Sequence, residues 1–191
     1  MRSTREHATS AGNTDMITSA TWGRRPLFQS KRGRKLLVDT RSRYRGLAYS
    51  RHLVVMPGHI HVLLTPTTSR EKAVRFIRGG FSYRAKAELS SNMEVWQKGV
   101  WDHRIRETGD YLHHVSYIRE NPVGKYLCER DGEFPYSSAP VGFELDQVPQ
   151  GLAPSLLSEA DTARLEGLPV QSKIPSHAAE IEPFPAKKKT P

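Results

Sequence analysis

The chain has 191 residues, 37% of them hydrophobic, and 29 Lys and Arg against 20 Asp and Glu give it a formal charge of +9. That length allows one domain with tails and excludes a tandem of large ones, and the apolar fraction is enough to bury a core, which argues against global disorder. No stretch approaches the about 20 consecutive apolar residues of a membrane span, and the single Cys128 excludes a disulfide framework or a cysteine-rich zinc cage.

In chain order, residues 1–14 are polar and aperiodic, which predicts a flexible leader and no secretory signal. Asp15 to Phe28 mixes β-branched and aromatic residues and reads as a first strand running into a turn at Gly23. Lys31 to Tyr44 has few breakers and a short apolar stripe, so a helix is expected there. Leu47 to Leu64 reads as a strand pair broken at Pro57-Gly58. Ser69 is placed to cap a helix to about Leu89, with Val74, Ile77, Phe81 and Ala85 at helical spacing and Gly79-Gly80 weakening its middle. Val95 to Ile105 alternates as an extended segment does. Thr108 or Asp110 can cap a last helix, expected to stop at Asn121 before Pro122. Residues 141–191 are Pro-rich and predict a largely disordered tail, leaving 15–140 as the domain. This order of elements predicts an α+β sandwich, an antiparallel sheet with helices packed on one face.

Two clusters carry chemistry. On a strand, His59 and His61 share a face with Cα atoms about 6.5 Å apart, while Ile60, Val62 and Leu64 turn to the core. Two such imidazoles can hold one ion and leave positions for oxygen donors and substrate; alternating histidines on a strand can equally be incidental. In the last helix, Tyr111, Leu112, Val115 and Ile118 form an apolar stripe. His113, Tyr117 and Asn121, at i, i+4 and i+8, line another face, with a phenol one turn from an amide. Taken singly, Tyr117 can simply rim the core and Asn121 simply end a helix.

In order along the chain come Met56-Pro57-Gly58-His59-Ile60-His61, Trp96, Trp101-Asp102, Ile105-Arg106, Tyr117-Ile118, Asn121-Pro122-Val123 and Pro135-Tyr136-Ser137-Ser138. This series resembles the single-tyrosine HUH transposases, and among them the REP-associated tyrosine transposases, over roughly residues 15–140. The resemblance implies a ferredoxin-like fold with the His-x-His pair on a sheet strand and the tyrosine on a helix beside it. It implies His59, His61 and Asn121 as metal ligands, Tyr117 as the nucleophile, and single-stranded DNA with hairpin ends as the substrate. Gly58 departs from the commoner Asn or Asp of that family, and Gly124-Lys125-Tyr126-Leu127 departs from its usual continuation; neither touches the implied catalytic set.

A phenol that ionises near pH 10 needs help to act as a nucleophile, and a divalent ion on a mixed N/O set, Mg2+ or Mn2+, can offset charge at phosphorus. Residues 1–100 hold 19 basic and 6 acidic side chains, so the first half suits a polyanion. Arg70, Lys72, Arg75, Arg78, Arg84 and Lys86 on one expected helix are candidate phosphate contacts, or a solvated face. Trp96 and Trp101 can stack on bases or pack in the core; His103, His113 and His114 can move protons or face water. Tyr83 and Tyr111 are rival nucleophiles lacking an asparagine partner. The rival functions are a catalytically silent hairpin-binding regulator and a metal-dependent hydrolase acting through water. A cytoplasmic location is expected, with no membrane partner, and the sequence leaves homodimer and monomer open.

Overall fold

The structure, a computed structural model, describes residues 13–140 apart from Arg45, Leu47 and Ser91. The expected tail lies outside these residues, as does the expected leader save Asn13 and Thr14. Thr14 already belongs to the fold: its hydroxyl is 2.8 Å from that of Thr65, and its carbonyl accepts from the Ile105 amide at 3.0 Å.

The elements run β1 (Asp15–Ala20), α1 (Lys31–Arg43), β2 (Ala48–Met56), β3 (His59–Pro66), α2 (Arg70–Glu88), β4 (Trp101–Arg104) and α3 (Thr108–Gly124). The four strands form one antiparallel sheet in the order β2-β3-β1-β4. This is the ferredoxin-like βαββαβ arrangement with α3 added at its end. Pairing sets Thr18 opposite His61 and Ala20 opposite His59 on β3, and Thr18 opposite Trp101 on β4. The outer edge of β2 is covered by residues 134–138: the Val55 amide donates to Tyr136 O and the Ser138 amide to Leu53 O. Such cover removes a free edge that would otherwise template aggregation.

Strand alternation sends two apolar sets to opposite faces. Ile17, Leu53, Val55, Ile60, Val62 and Leu64 meet Leu36 and Leu37 of α1 and Ala73, Ile77, Phe81 and Ala85 of α2. Phe28, Phe81 and Trp96 form a ring cluster there, with centroids 5.3 to 5.7 Å apart. The other face carries Met16, Val54, Met56, His61 and Leu63, all buried, and α3 lies over it with Tyr111, Val115 and Ile118 buried. The expected α+β class and antiparallel sheet are present, but helices on one face holds only for α1 and α2. The apolar residues of both sheet faces need cover, and α3 supplies the second layer.

Three local expectations change. Gly79-Gly80 does not interrupt α2; a Cβ at Gly80 would come within 2.4 Å of the Tyr44 ring, so this glycine lets α1 and α2 approach. The segment 95–105 is a strand only over Trp101–Arg104, with Trp96 bridged singly to Thr21. α3 runs through Pro122 to Gly124 and is entered from Glu107, with Asp110 in its first turn. A proline so near the end removes one intrahelical donor, and the Pro122 carbonyl still accepts from Lys125 and Leu127.

Candidate active site

β3 and α3 bring Tyr117 to the histidine pair. His59 and His61 face the same way from β3, with ring centroids 4.7 Å apart. The Tyr117 ring lies edge-on to His61 at 5.0 Å, and its hydroxyl is 3.4 Å from His61 Nε2. On the other side of that imidazole, Nδ1 is 2.8 Å from the Thr18 hydroxyl of β1. Thr18 therefore fixes the ring and leaves Nε2 as the nitrogen directed at the phenol. One turn along α3 stands Asn121, whose side chain favours the ionised form of Tyr117, while its Oδ1 is buried with no hydrogen-bond partner.

The electrostatics follow from burial. Desolvation, helped by the charges of Arg24 and Lys125, pushes the His59 pKa from 6.5 down to about 4. His61 is also pushed down, first by burial and then by His59, Arg24 and His114. Both rings are neutral at pH 7, the form that ligates metal. Burial pushes the Tyr117 hydroxyl up, against the opposing Asn121 hydrogen bond and the charge of Arg24. The phenol is thus protonated at rest, in a place where added positive charge would favour its ionised form.

The His59 shift sets a pH dependence in the metal-free protein. Below pH 6.5 the unfolded chain takes up a proton at His59 that the folded chain refuses until about pH 4. Stability is therefore full at neutral pH and falls as the pH drops through that window, by on the order of 3 kcal/mol for this residue. Urea midpoints measured between those limits should fall for the wild type and fall less for His59→Gln.

Arg24 reaches the site from the turn after β1, where Gly23 and Arg24 adopt φ values of 60° and 53°. That turn packs on the β2–β3 turn: Thr21 donates to Gly58 O through both its amide and its hydroxyl, and Phe28 N donates to Pro57 O. A Cβ on Gly58 would lie 2.7 Å from the Arg24 carbonyl oxygen, a backbone atom. The glycine at this position is thus what admits the Arg24 turn. Gly58→Asn should cost about 1–3 kcal/mol in urea unfolding, because backbone rather than a side-chain tip must move.

The remaining candidates separate. Tyr111 is buried against His52 under α3, and Tyr83 is 78% exposed on α2, on the far side of the sheet from His61. Trp96 is core, its indole N–H donating to Arg78 O at 3.0 Å, and does not offer a base platform. Trp101 is half-buried and stacks on His103. His113 is exposed, and its neighbour His114 is the one whose charge is felt at His61. Of the six basic residues on α2, Arg70 is buried and ion-paired to Asp15, Glu71 and Asp102. Arg78 binds the carbonyls of Gln97 and Gly99, and Arg84 binds Glu88 and Thr40. Lys72, Arg75 and Lys86 are exposed. All six sit on the helix layer opposite Tyr117.

Thr18, Arg24 and Lys125 are site residues that sequence patterns did not single out. Thr18 enters through strand register, and the two cations through turns that no periodicity marks. Among the described residues no helix is long and apolar enough to cross a membrane.

A ferredoxin-like sheet carrying a His-x-His strand beneath a helix-borne Tyr and Asn sets the class to which the chain is compared. No protein-family model matches it. It is 34% identical over 104 residues to the REP-associated tyrosine transposase of Escherichia coli, covering 53% of this chain and 57% of that protein. It is 30% identical over 98 residues to a protein of the same family name in Haemophilus influenzae, covering 45% and 56%. The chain is thus similar in sequence to curated proteins named as REP-associated tyrosine transposases, and its matches span somewhat over half the length of these relatives. A solved REP-associated tyrosine transposase bound to a REP hairpin shares the fold, with a TM-score of 0.62 and 23% identity over 83% of this chain and 100% of that one.

Proposed function

We propose that this chain cleaves and rejoins single-stranded DNA through a covalent bond to Tyr117, acting at hairpin-forming repeats. The observation that carries the reading is the Tyr117 hydroxyl 3.4 Å from Nε2 of a buried imidazole, with Asn121 one turn further along the same helix. Homology to REP-associated tyrosine transposases supports the reaction class, and the hairpin in the structural relative supports the substrate.

The Tyr117 oxygen attacks the scissile phosphorus as its proton leaves, and the bond from phosphorus to the 3′ oxygen breaks. That oxygen keeps the bonding electron pair and takes up a proton, giving a free 3′-hydroxyl and a 5′-phosphotyrosine. Attack by another 3′-hydroxyl reverses the step, returns the proton to Tyr117 and joins strands. The energy of the phosphodiester is kept in the tyrosyl link, so no nucleotide is consumed.

The residues fit a divalent ion: neutral His59 and His61 and the unpartnered, buried Asn121 Oδ1 are donors of the right kind. When bound, such an ion, Mg2+ or Mn2+, supplies charge to offset that developing on the phosphate oxygens. Thr18 holds His61 in place, and Arg24 adds fixed positive charge that favours the Tyr117 phenolate. Exposed Lys72, Arg75 and Lys86 lie on the helix layer away from Tyr117, so they serve only DNA that continues round the sheet from the cleavage site, and binding through them weakens with salt.

The test is incubation with labelled single-stranded hairpin DNA and Mn2+. The reading expects a protein–DNA band that survives denaturation together with a fragment ending in a free 3′-hydroxyl. Cleavage without any protein-linked DNA would overturn it in favour of a water-using hydrolase.

A further inference from the structure

Away from the His59–Tyr117 pair, β4 and the first turns of α3 gather three more donors. The ligand atoms of His103, Asp110 and His114 all lie within 4.8 Å of one another. His103 Nε2 is 2.9 Å from Asp110 Oδ2, and His114 Nδ1 is 3.1 Å from Asp110 Oδ1. The two imidazoles stack with centroids 5.0 Å apart and planes 17° apart. Asp110 and His114 stand one helical turn apart and so share a face of α3, while His103 comes from the edge strand.

We propose that His103, Asp110 and His114 form a second divalent-cation site, separate in its ligands from His59, His61 and Asn121, which takes a borderline ion such as Zn2+. Two imidazoles and one carboxylate are the donor set such ions favour, and three protein ligands leave a position for water or an anion. Mg2+, which prefers oxygen donors and keeps its waters, is poorly served by it. The outer shell is in place as well. Burial pushes the Asp110 carboxyl up, but the bond and charge of His103, the charge of His114 and a backbone hydrogen bond from Arg106 outweigh it, and the net direction is down. The carboxylate is therefore ionised and oriented before any ion arrives.

Donors at these separations need only small side-chain turns to close on an ion about 2.0–2.2 Å from each. His114 Nδ1 must give up its 2.9 Å hydrogen bond to Asp110 O as it does so. The ion would tie β4 to the start of α3, the helix that carries Tyr117, and its charge would act on His61 as that of His114 does. None of this rests on the DNA chemistry proposed above.

The experiment is calorimetric titration of the metal-stripped full chain with Zn2+, paired with thermal unfolding with and without the ion. The wild type should bind two Zn2+ per chain, and the double variant His103→Gln, His114→Gln one. The double variant His59→Gln, His61→Gln should also bind one, and each double variant should show a smaller zinc-dependent rise in Tm than the wild type. Should the His103/His114 double variant fold poorly, His103→Gln alone, at an edge-strand residue whose side chain is 43% exposed, should weaken one of the two binding events by about tenfold or more and leave the other unchanged. Wild-type stoichiometry and Tm rise in the His103/His114 variants would overturn the proposal. So would a wild-type chain whose zinc binding is wholly lost with His59 and His61.

Discussion

Tyr117→Phe should abolish both DNA cleavage and the protein–DNA adduct, lowering the single-turnover cleavage rate by on the order of 10⁴-fold or more. The substitution removes the oxygen that would bond to phosphorus and leaves the ring, which packs edge-on to His61. The hydroxyl lies 3.4 Å from His61 Nε2, at the long end of hydrogen-bonding range. Losing it should therefore cost little stability, and DNA binding by the variant should stay near wild type. That split between binding and chemistry separates the account from its rivals. A hydrolase that activates water would keep most of its cleavage in Tyr117→Phe, and a silent hairpin binder would show no cleavage to lose. Gel assays of labelled hairpin DNA, with binding measured in parallel, read all three outcomes.

The second large effect concerns the ion. Chelation by EDTA should stop cleavage and adduct formation together, and Mn2+ should restore both in the wild type. His61→Ala should cost about 10²–10³-fold in rate and should not recover fully at higher Mn2+. The physical reason is that His61 is the best-fixed of the proposed donors: 4% exposed, held at Nδ1 by Thr18, and directed through Nε2 at the phenol. Circular dichroism of the variant tests whether loss of rate comes from the site or from the fold.

Much of this arrangement was legible in the sequence, because the relevant signals are local. Strand alternation alone puts His59 and His61 on one face and Ile60, Val62 and Leu64 on the other, as observed. The Ser69 cap and the spacing of Ile77, Phe81 and Ala85 define α2, whose N-cap hydroxyl accepts from the Lys72 amide. The spacing of Tyr117 and Asn121 likewise puts the phenol and the amide one turn apart on α3.

What was not legible depends on long-range packing. Periodicity tells which side of α3 is apolar but not which face of the sheet it will cover. The runs Leu53–Met56 and Ile60–Leu64, buried on both alternations, needed cover on two sides. Charge on a helix does not reveal its partners either. Arg70 looks like Lys72 in the sequence, yet it folds onto Asp15 of β1 and Asp102 of β4. Thr18 is one β-branched residue among many until strand pairing sets it opposite His61. The role of Gly58 appears only when the Arg24 turn is seen lying against it.

Peptide mapping of the trapped adduct addresses the central claim most directly. Digestion of protein reacted with short single-stranded hairpin DNA and Mn2+, followed by mass spectrometry, should place the added nucleotide on the peptide containing Tyr117, through its side-chain oxygen. Nucleotide found on Tyr111 or Tyr83, or cleaved DNA with every tyrosine unmodified, would contradict the account.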